Sequence, residues 1–580
     1  MIIDALNWAW MALACFLTGK ALLLLFSGLT GYRFRGMDAA LAAGTVALTV
    51  YSEIFSLFGG VGTAAGLLLA ALLVLCAAVL LRTGTKETRR TDTKAFFGAV
   101  RTLPVPAAAV ILLLFFWFLA RSAMTPSTYD DYLYHAQALE WIEKYGAVPG
   151  LGNLHSRFAY NSAFLCLQAL FSWRDLTGQS LHTVNSFYAF LLSVFCVSGF
   201  RFFSAGHTLP AYVPTRSELL RGCALVWLFS DPTALTGLDT DPLAMMAVLY
   251  LFIRWSDLLE QGEKDAAPYG LLSVLAVSAC TMKLSAAPLL LFSLYPLVLF
   301  LRARRAKQIV PCLLSGAAVA APYLIRNVIL SGYLLYPYAG LDLFRVDWKM
   351  PLSVVTNDRQ GIVIWARSLN SLFAQGKTWA EVLAMPLRSW FPVWFRSLSH
   401  TQELLFAAAV CMTVLWAVRM LLFLLRRVLH IPHSALPGSD DFLWGMAAAC
   451  FLFWFFTAPL IRYGSLYLCI VTACGAGVYN KHLKRGVFLL WLLLFTLEIS
   501  GLPAGAVFRP EDYGVLEDTA VTANEVTDGN DADAAVTVYT PVDGDRTDYA
   551  HFPSSPSASD LQHLRLRGPD IRDGFRSNAE

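Results

Sequence analysis

"ILLLFFWFLARSAMTPSTYDDYLYH", residues 111–135, runs from an apolar segment directly into two adjacent carboxylates and a histidine. The apolar segment begins near residue 103, and a helix that crosses a bilayer needs about 20 mostly apolar residues. The acidic residues follow at the point where such a helix would leave the hydrocarbon. The stretch therefore predicts a membrane-spanning helix with an acidic loop at its exit.

The whole chain has the composition of a membrane protein. Of its 580 residues, 57% are hydrophobic and 15% are charged, and the mean hydropathy is +0.55. A soluble protein could not bury so much apolar surface. The net charge of +3 is small and no basic tract carries interleaved aromatic residues, so the sequence indicates no nucleic-acid partner.

The pattern of apolar runs predicts an all-α polytopic membrane protein with about 14 transmembrane helices. The segment 157–175 is expected to form a juxtamembrane or re-entrant helix, and 269–301 two short spans with Lys283 near their outer turn. The predicted spans begin near residues 5, 38, 62, 103, 181, 219, 241, 269, 286, 309, 402, 441, 463 and 487.

Clusters of basic residues predict the orientation, because loops rich in Lys and Arg stay in the cytoplasm. If all of them are cytoplasmic, both termini are extracytoplasmic. The outer face then carries the polar loop after residue 121. The basic residues are Arg33, Arg35, Arg82, Lys86, Arg89, Arg90, Lys94, Arg302, Arg304, Arg305, Lys307, Arg426, Arg427, Lys481, Lys484 and Arg485.

Four carboxylates are predicted to lie on this outer face. Asp130 and Asp131 are adjacent, and His135 lies one turn beyond Asp131 on the same side of a helix. One acid would suffice to cap that helix. Asp239 and Asp241 open a later span, where Asp241 could also be a simple N-cap. Two acidic groups at one surface could raise each other's pKa, or together hold a cation or a substrate hydroxyl.

Three cations within or beside predicted spans indicate an anionic ligand. Lys283, Arg326 and Arg462 are costly in hydrocarbon and are expected to pair or to bind an anion. Snorkelling to the interface is the alternative for each taken singly. Together on one face, they favour a phosphate-bearing ligand that enters from the bilayer.

The loop "GLGNLHSRFAYNS", residues 150–162, adds further candidates. His155, Arg157 and Asn161 could bind substrate, although Gly and Asn also suit a structural hairpin that returns the chain to the membrane. Tyr463, next to Arg462, is a further candidate for substrate binding.

These motifs resemble the GT-C superfamily of glycosyltransferases, which includes the protein O-mannosyltransferases and the lipid A aminoarabinose transferase. The resemblance lies in "YDDYLYH", "LDTDPLA", "TMKLSAAP" and "APLIRYG", in that order. A closer resemblance, through "PGLGNLHSRFAYNS", "IRNVILSGYLLYP" and "RGPDIRDGF", is to uncharacterised bacterial multi-pass proteins associated with surface-polysaccharide assembly. It implies a bacterial inner (plasma) membrane but no particular activity.

The resemblance also implies a division of the chain. Residues 98–505 would form the GT-C-like core, with outer loops 121–180 and 331–400. Residues 1–97 would be three additional N-terminal helices, and 506–580 an extracytoplasmic appendage, whose polar and acidic composition predicts partial disorder. Within this tail, "AAVTVYTP" is expected to form a strand and "LQHLRLRGPDIRDGF" could pack as a small unit.

The implied activity is transfer of a sugar from a polyprenyl-phosphate donor to a glycan or lipid acceptor of the cell envelope. Asp130 or Asp131 would be the general base and Asp241 the second acid, and the usual Asp-Glu pair is here Asp-Asp, which leaves the base undecided. No cofactor is expected other than a divalent cation that Asp130, Asp131 and Asp241 could hold. The residues expected to bind substrate are His135, His155, Arg157, Asn161, Asp239, Lys283, Arg326, Arg462 and Tyr463.

Two other functions fit the same residues. A flippase or transporter of lipid-linked oligosaccharides would also have many spans and buried charges, but these should line a cavity open to each face in turn. A polysaccharide polymerase or ligase would use the same type of donor and differ mainly in the length of the glycan.

Overall fold

The structure is a computed structural model of the full chain. It describes residues 1–34, 36–83, 98, 101–126, 128–203, 212–367, 371–372, 375–429, 438–479, 481–500, 520–527, 535–547 and 551–578. Arg35 and the basic residues between 86 and 94, which help to predict the orientation, lie outside these ranges.

Helices make up most of the described residues. In chain order they are α1 (Ile2–Thr30), α2 (Met37–Ser56), α3 (Thr63–Thr83), α4 (Val105–Ser122), α5 (Ala136–Lys144), α6 (Ala163–Leu170), α7 (Arg174–Thr177), α8 (Val184–Ser198), α9 (Arg216–Ser230), α10 (Asp241–Glu260), α11 (Ala266–Met282), α12 (Leu294–Arg302), α13 (Ile309–Ser331), α14 (Leu352–Ala366), α15 (Trp379–Ala384), α16 (Leu387–Arg396), α17 (His400–Val428), α18 (Ser439–Thr457), α19 (Ile461–Val478) and α20 (Lys481–Ser500).

Nine helical segments within the described residues are long and apolar enough to cross a membrane. Helices α8 and α11 are apolar but shorter. All 14 predicted starts lie at or near the start of a helix. The chain is thus an α-helical protein of the multi-pass membrane type, and the number of helices that cross a bilayer stays a prediction. The nine segments are α1, α2, α3, α4, α10, Leu284–Arg302, Ala306–Ser331, α17 and α19.

Two irregular regions agree with the sequence prediction. Helix α6 has only eight residues, all of them buried, so it is too short to span. Between α11 and α12 the chain breaks at Lys283, which is extended, and continues as a 3-10 helix over Leu284–Ser293. Lys283 therefore lies at a turn between α11, which is short, and the helical segment Leu284–Arg302.

The first helices pack directly against the rest of the bundle. The Asn7 side chain donates hydrogen bonds of 2.9 Å to the Phe171 carbonyl and to Thr183 Oγ1. Helices α1 and α2 approach so closely that a Cβ at Gly19 or Gly44 would overlap backbone atoms of the other helix. Small residues permit such contact between apolar helices in a membrane.

The C-terminal tail adds two small antiparallel sheets to the helical fold. Strand β1 (Val521–Thr527) pairs with β2 (Ala535–Pro541), and β3 (Leu564–Leu566) pairs with β4 (Phe575–Ser577). Strand β2 occupies the segment for which the sequence predicts a strand.

The tail packs on the polar loop that follows α4. The Trp141 ring of α5 lies 4.9 Å from the ring of Phe552 and 5.9 Å from that of Phe575, measured between centroids. Trp141 and Phe575 are fully buried. The described part of the tail is therefore joined to the bundle through an aromatic contact.

Candidate functional site

Several of the charged residues singled out above meet where several helices end. The loop after α4 and the start of α10 bring together four carboxylates, and the end of α11 and the start of α19 add cations. We call Asp130, Asp131, Asp239 and Asp241 the acidic cluster.

Asp131 is the most enclosed member of the acidic cluster. It begins a π-helical turn, Asp131–His135, a geometry often found at functional sites. His135 Nδ1 lies 3.2 Å from Asp131 Oδ1, which also accepts a 3.0 Å hydrogen bond from the Leu238 N–H. The predicted proximity of Asp131 and His135 is confirmed. Gly237 permits this arrangement, because a Cβ there would overlap the Asp131 carboxylate.

Asp130 is held by two arginines. Arg462 Nη2 donates to Asp130 Oδ2 at 2.6 Å, and Arg157 Nη1 lies 3.4 Å from Oδ1. Burial alone would raise the pKa of Asp130, but Arg462, His135 and Arg157 together lower it below its usual value. Asp130 is therefore an anion with two cationic partners.

Asp241 has a cationic partner of its own. Lys283 Nζ lies 2.7 Å from Asp241 Oδ1. The same ammonium lies 4.8 Å from the centre of the Tyr463 ring, and Arg462 Nη2 donates to Tyr463 Oη at 3.2 Å. Tyr463 thus connects the two cations, so Lys283, Arg462 and Tyr463 form one group. The sequence groups Lys283 and Arg462 with Arg326, which lies elsewhere.

A different trio of residues offers donor atoms for a cation. Three possible ligand atoms lie within 4.8 Å of one another, one from each of Asp131, His135 and Asp239. Asp131 Oδ2 and His135 Nε2 are buried and have no hydrogen-bond partner among the described residues. Burial, and then the charge of Asp131, raise the pKa of Asp239 to about 7. The sequence predicts Asp130, Asp131 and Asp241 as the residues that could hold a cation. In the structure Asp130 and Asp241 instead pair with Arg462 and Lys283.

Arg326 and Asn161 lie in a second buried cluster. Arg326 Nε donates to Asn161 Oδ1 at 2.9 Å, and its Nη1 bonds Ser56 of α2. Glu53, also on α2, is fully buried, and neither of its oxygens has a hydrogen-bond partner within the described residues. The charge of Arg326 acts on the Glu53 carboxyl, and the contacts of Arg326 do not include the acidic cluster.

His155 contacts the tail. Its Nδ1 lies 2.9 Å from Asp560 Oδ2. The tail also reaches the loop beside Asp130, where Tyr129 Oη donates to Asp545 at 2.6 Å and the Thr547 N–H donates to the Tyr132 carbonyl at 2.9 Å. The sequence carries no signal for these contacts, because the tail follows the last apolar run.

The fold and the site define an α-helical protein of the multi-pass membrane type, with a cluster of acids, two of them paired with cations, at one end of its bundle. The chain belongs to the family described as Domain of unknown function (DUF8201), whose model matches residues 1–469. The match includes every candidate residue, crosses the predicted boundary at residue 97 and ends before the tail. No curated protein and no solved structure matches the chain.

Proposed function

We propose that this chain is a membrane glycosyltransferase that moves a sugar from a polyprenyl-phosphate donor to a cell-envelope acceptor. The single observation that carries the proposal is the interleaving of acids and cations at the end of an apolar bundle. Asp130 pairs with Arg462, and Asp241 pairs with Lys283. A lipid phosphate could reach these cations from the bilayer.

The donor phosphate would exchange places with a carboxylate. Arg462 presents a planar fork that suits phosphate, and Lys283 adds a second positive charge beside it. When Arg462 turns to the phosphate, Asp130 loses its strongest partner and becomes available to the acceptor. Asp130 suits the role of base better than Asp131, whose side chain has no exposed surface.

The proposed reaction is a single displacement. The acceptor hydroxyl gives its proton to the Asp130 carboxylate, and its oxygen attacks the anomeric carbon. The bond from that carbon to the phosphate oxygen breaks, and polyprenyl phosphate leaves with the bonding electrons. Lys283 and Arg462 stabilise the charge on the leaving phosphate. Attack from the opposite face inverts the anomeric configuration.

The proposal includes a topology. In the proposed topology all 14 predicted helices cross a bacterial plasma membrane, the acidic cluster faces its extracytoplasmic side, and both termini lie on that side. The support is that the predicted outer ends of α4, α10, α11 and α19 meet at the acidic cluster.

The proposal also includes a divalent cation at Asp131, His135 and Asp239. Histidine and carboxylate donors suit several divalent metals. A bound cation would offset the repulsion between the two buried carboxylates. We expect EDTA to lower turnover and Mn²⁺ or Mg²⁺ to restore it, and unchanged turnover after chelation would remove the cation from the proposal.

The experiment that tests the function uses the full chain in proteoliposomes with radiolabelled polyprenyl-phosphate sugars. Release of lipid phosphate and labelling of added envelope acceptors are measured. We expect Asp130→Asn to lower turnover about 100-fold or more, as for loss of a general base. The matched control is Asp342→Asn, a carboxylate on an exposed loop, which should leave turnover unchanged. Thermal unfolding confirms that each variant is folded.

Other outcomes would overturn the proposal. Movement of labelled lipid between leaflets without loss of its sugar would indicate a flippase. Transfer of long glycans rather than single sugars would indicate a polymerase or ligase that uses the same type of donor.

A further inference from the structure

A large apolar cavity lies between the first two helices and the remainder of the bundle. Its volume is about 800 Å³, within the range of roughly 300–1,000 Å³ that is common for small-ligand sites. Helices α1, α2, α10, α11 and α13 supply its walls, and Leu22, Leu25, Val46 and Leu275 are typical of the lining. No residue of the acidic cluster lines it.

One end of the cavity is polar. Tyr32, Arg33, Arg254 and Glu263 line this end. Tyr32 Oη donates to Glu263 at 2.8 Å, and Arg254 lies 3.5 Å from Asp38. Arg33 is exposed and makes no ion pair with any residue that the structure describes. Its charge is therefore available to a ligand at the mouth of the cavity.

The polar mouth and the acidic cluster lie towards opposite ends of α10. This helix begins at Asp241 in the acidic cluster, and Arg254 and Leu258 line the cavity near its other end. A helix of 20 residues is about 30 Å long, which is the thickness of the bilayer core. A ligand in the cavity would therefore have its polar group at the membrane face opposite to the acidic cluster.

We infer that this cavity binds one anionic phospholipid, with its acyl chains between α1, α2 and α13 and its phosphate at Arg33. Aliphatic walls match hydrocarbon chains, and guanidinium groups bind phosphate through charge-assisted hydrogen bonds. Basic pockets between transmembrane helices bind anionic headgroups in this way. The aromatic rings of Tyr32 and Phe34, 5.0 Å apart, suit the level of the headgroups.

Native mass spectrometry of the full chain in detergent tests the inference, with phosphatidylglycerol and phosphatidylcholine as probes. We expect one retained phosphatidylglycerol per chain. Arg33→Gln should weaken its binding about tenfold, as for loss of one charge-assisted hydrogen bond. Ala47→Phe, which fills the cavity from α2, should abolish retention.

Two control variants test whether the effects are specific to the cavity. Arg302→Gln removes an exposed arginine that does not line it, and Ala71→Phe enlarges an exposed residue of α3; both should bind lipid like the wild type. If Ala47→Phe fails to fold, Ala318→Phe fills the cavity from α13 instead. Equal binding of both lipids, equal binding by Arg33→Gln and wild type, or retention of a peptide in place of lipid would overturn the inference.

Discussion

Asp130 and Asp241 of the acidic cluster are each paired with a cation from another helix or loop. Asp130 and Arg462 are 332 positions apart in the chain, yet their side chains are joined by a 2.6 Å hydrogen bond. Asp130 is buried, so removing Arg462 would leave its charge with only the more distant Arg157 as a cationic partner, which is costly. Substitutions here should therefore be judged by stability as well as by activity.

Gly237→Ala tests the space that Asp131 occupies. The new Cβ would overlap the Asp131 carboxylate, so the Asp131 side chain or the turn at Gly237 must move. We expect a loss of about 1–3 kcal/mol in the free energy of unfolding, as for overpacking, and a fall in turnover. Gly486→Ala is the control, because a Cβ there meets no atom within 4 Å. Equal stability of the two variants would contradict the tight fit.

The buried carboxyl of Glu143 should make the stability of the protein depend on pH. Burial raises the pKa of Glu143 from 4.5 to about 7, although Ser172, Ser180 and Arg174 oppose the shift. The native state then holds a proton that the unfolded state releases, so stability falls as pH rises from about 4.5 to about 7. We expect Glu143→Gln to reduce the difference in melting temperature between pH 5 and pH 8. Glu525→Gln changes an exposed residue and should leave that difference in melting temperature unchanged. If Glu143→Gln also leaves it unchanged, the raised pKa of Glu143 is contradicted.

At the scale of elements, buried polar contacts join α2 and α13 to the loop before α6. Arg326 of α13 bonds Ser56 of α2 and Asn161 of the loop, beside the buried Glu53. A charged residue in an apolar run is thus used here to fix helices relative to a loop. This arrangement explains the arginine without any ligand.

Arg326→Met tests this role. It removes the hydrogen bonds to Asn161 and Ser56 and the positive charge that acts on Glu53. We expect a loss of about 1–3 kcal/mol in the free energy of unfolding, as when buried polar groups lose their partners. Adding Glu53→Gln should recover a large part of the loss, since the neutral amide needs no countercharge. Thermal unfolding in detergent measures both variants. No recovery in the double variant would mean that Arg326 acts independently of Glu53.

At the scale of the whole molecule, the tail and the helical bundle share one core. Phe552 and Phe575 pack on Trp141, while Asp560 pairs with His155 of the loop between α5 and α6. The family match ends at residue 469, before this tail begins. The tail therefore contributes contacts beside the acidic cluster from outside the matched region.

Phe575→Ala should release the tail from the bundle. Truncation of a buried phenylalanine costs about 3–5 kcal/mol, and Phe575 is fully buried. We expect faster limited proteolysis within residues 520–578 and little change in the unfolding of the helical part. Val542→Ala, at a residue that is 59% exposed, is the control. Equal cleavage of both variants would show that this aromatic contact does not hold the tail.

The sequence alone was sufficient to predict the helices, the break at Lys283, the short α6 and strand β2, because apolar runs and local breaks are properties of neighbouring residues. It also indicated which charged residues lie within or beside apolar runs. It did not determine which of them meet. Asp130 with Arg462, Asp131 with Asp239, and Arg326 with Asn161 depend on how distant segments pack, whereas Asp131 with His135 follows from their local spacing. The lipid-sized cavity and the docking of the tail likewise arise only from that packing, so the tertiary structure alone decided them.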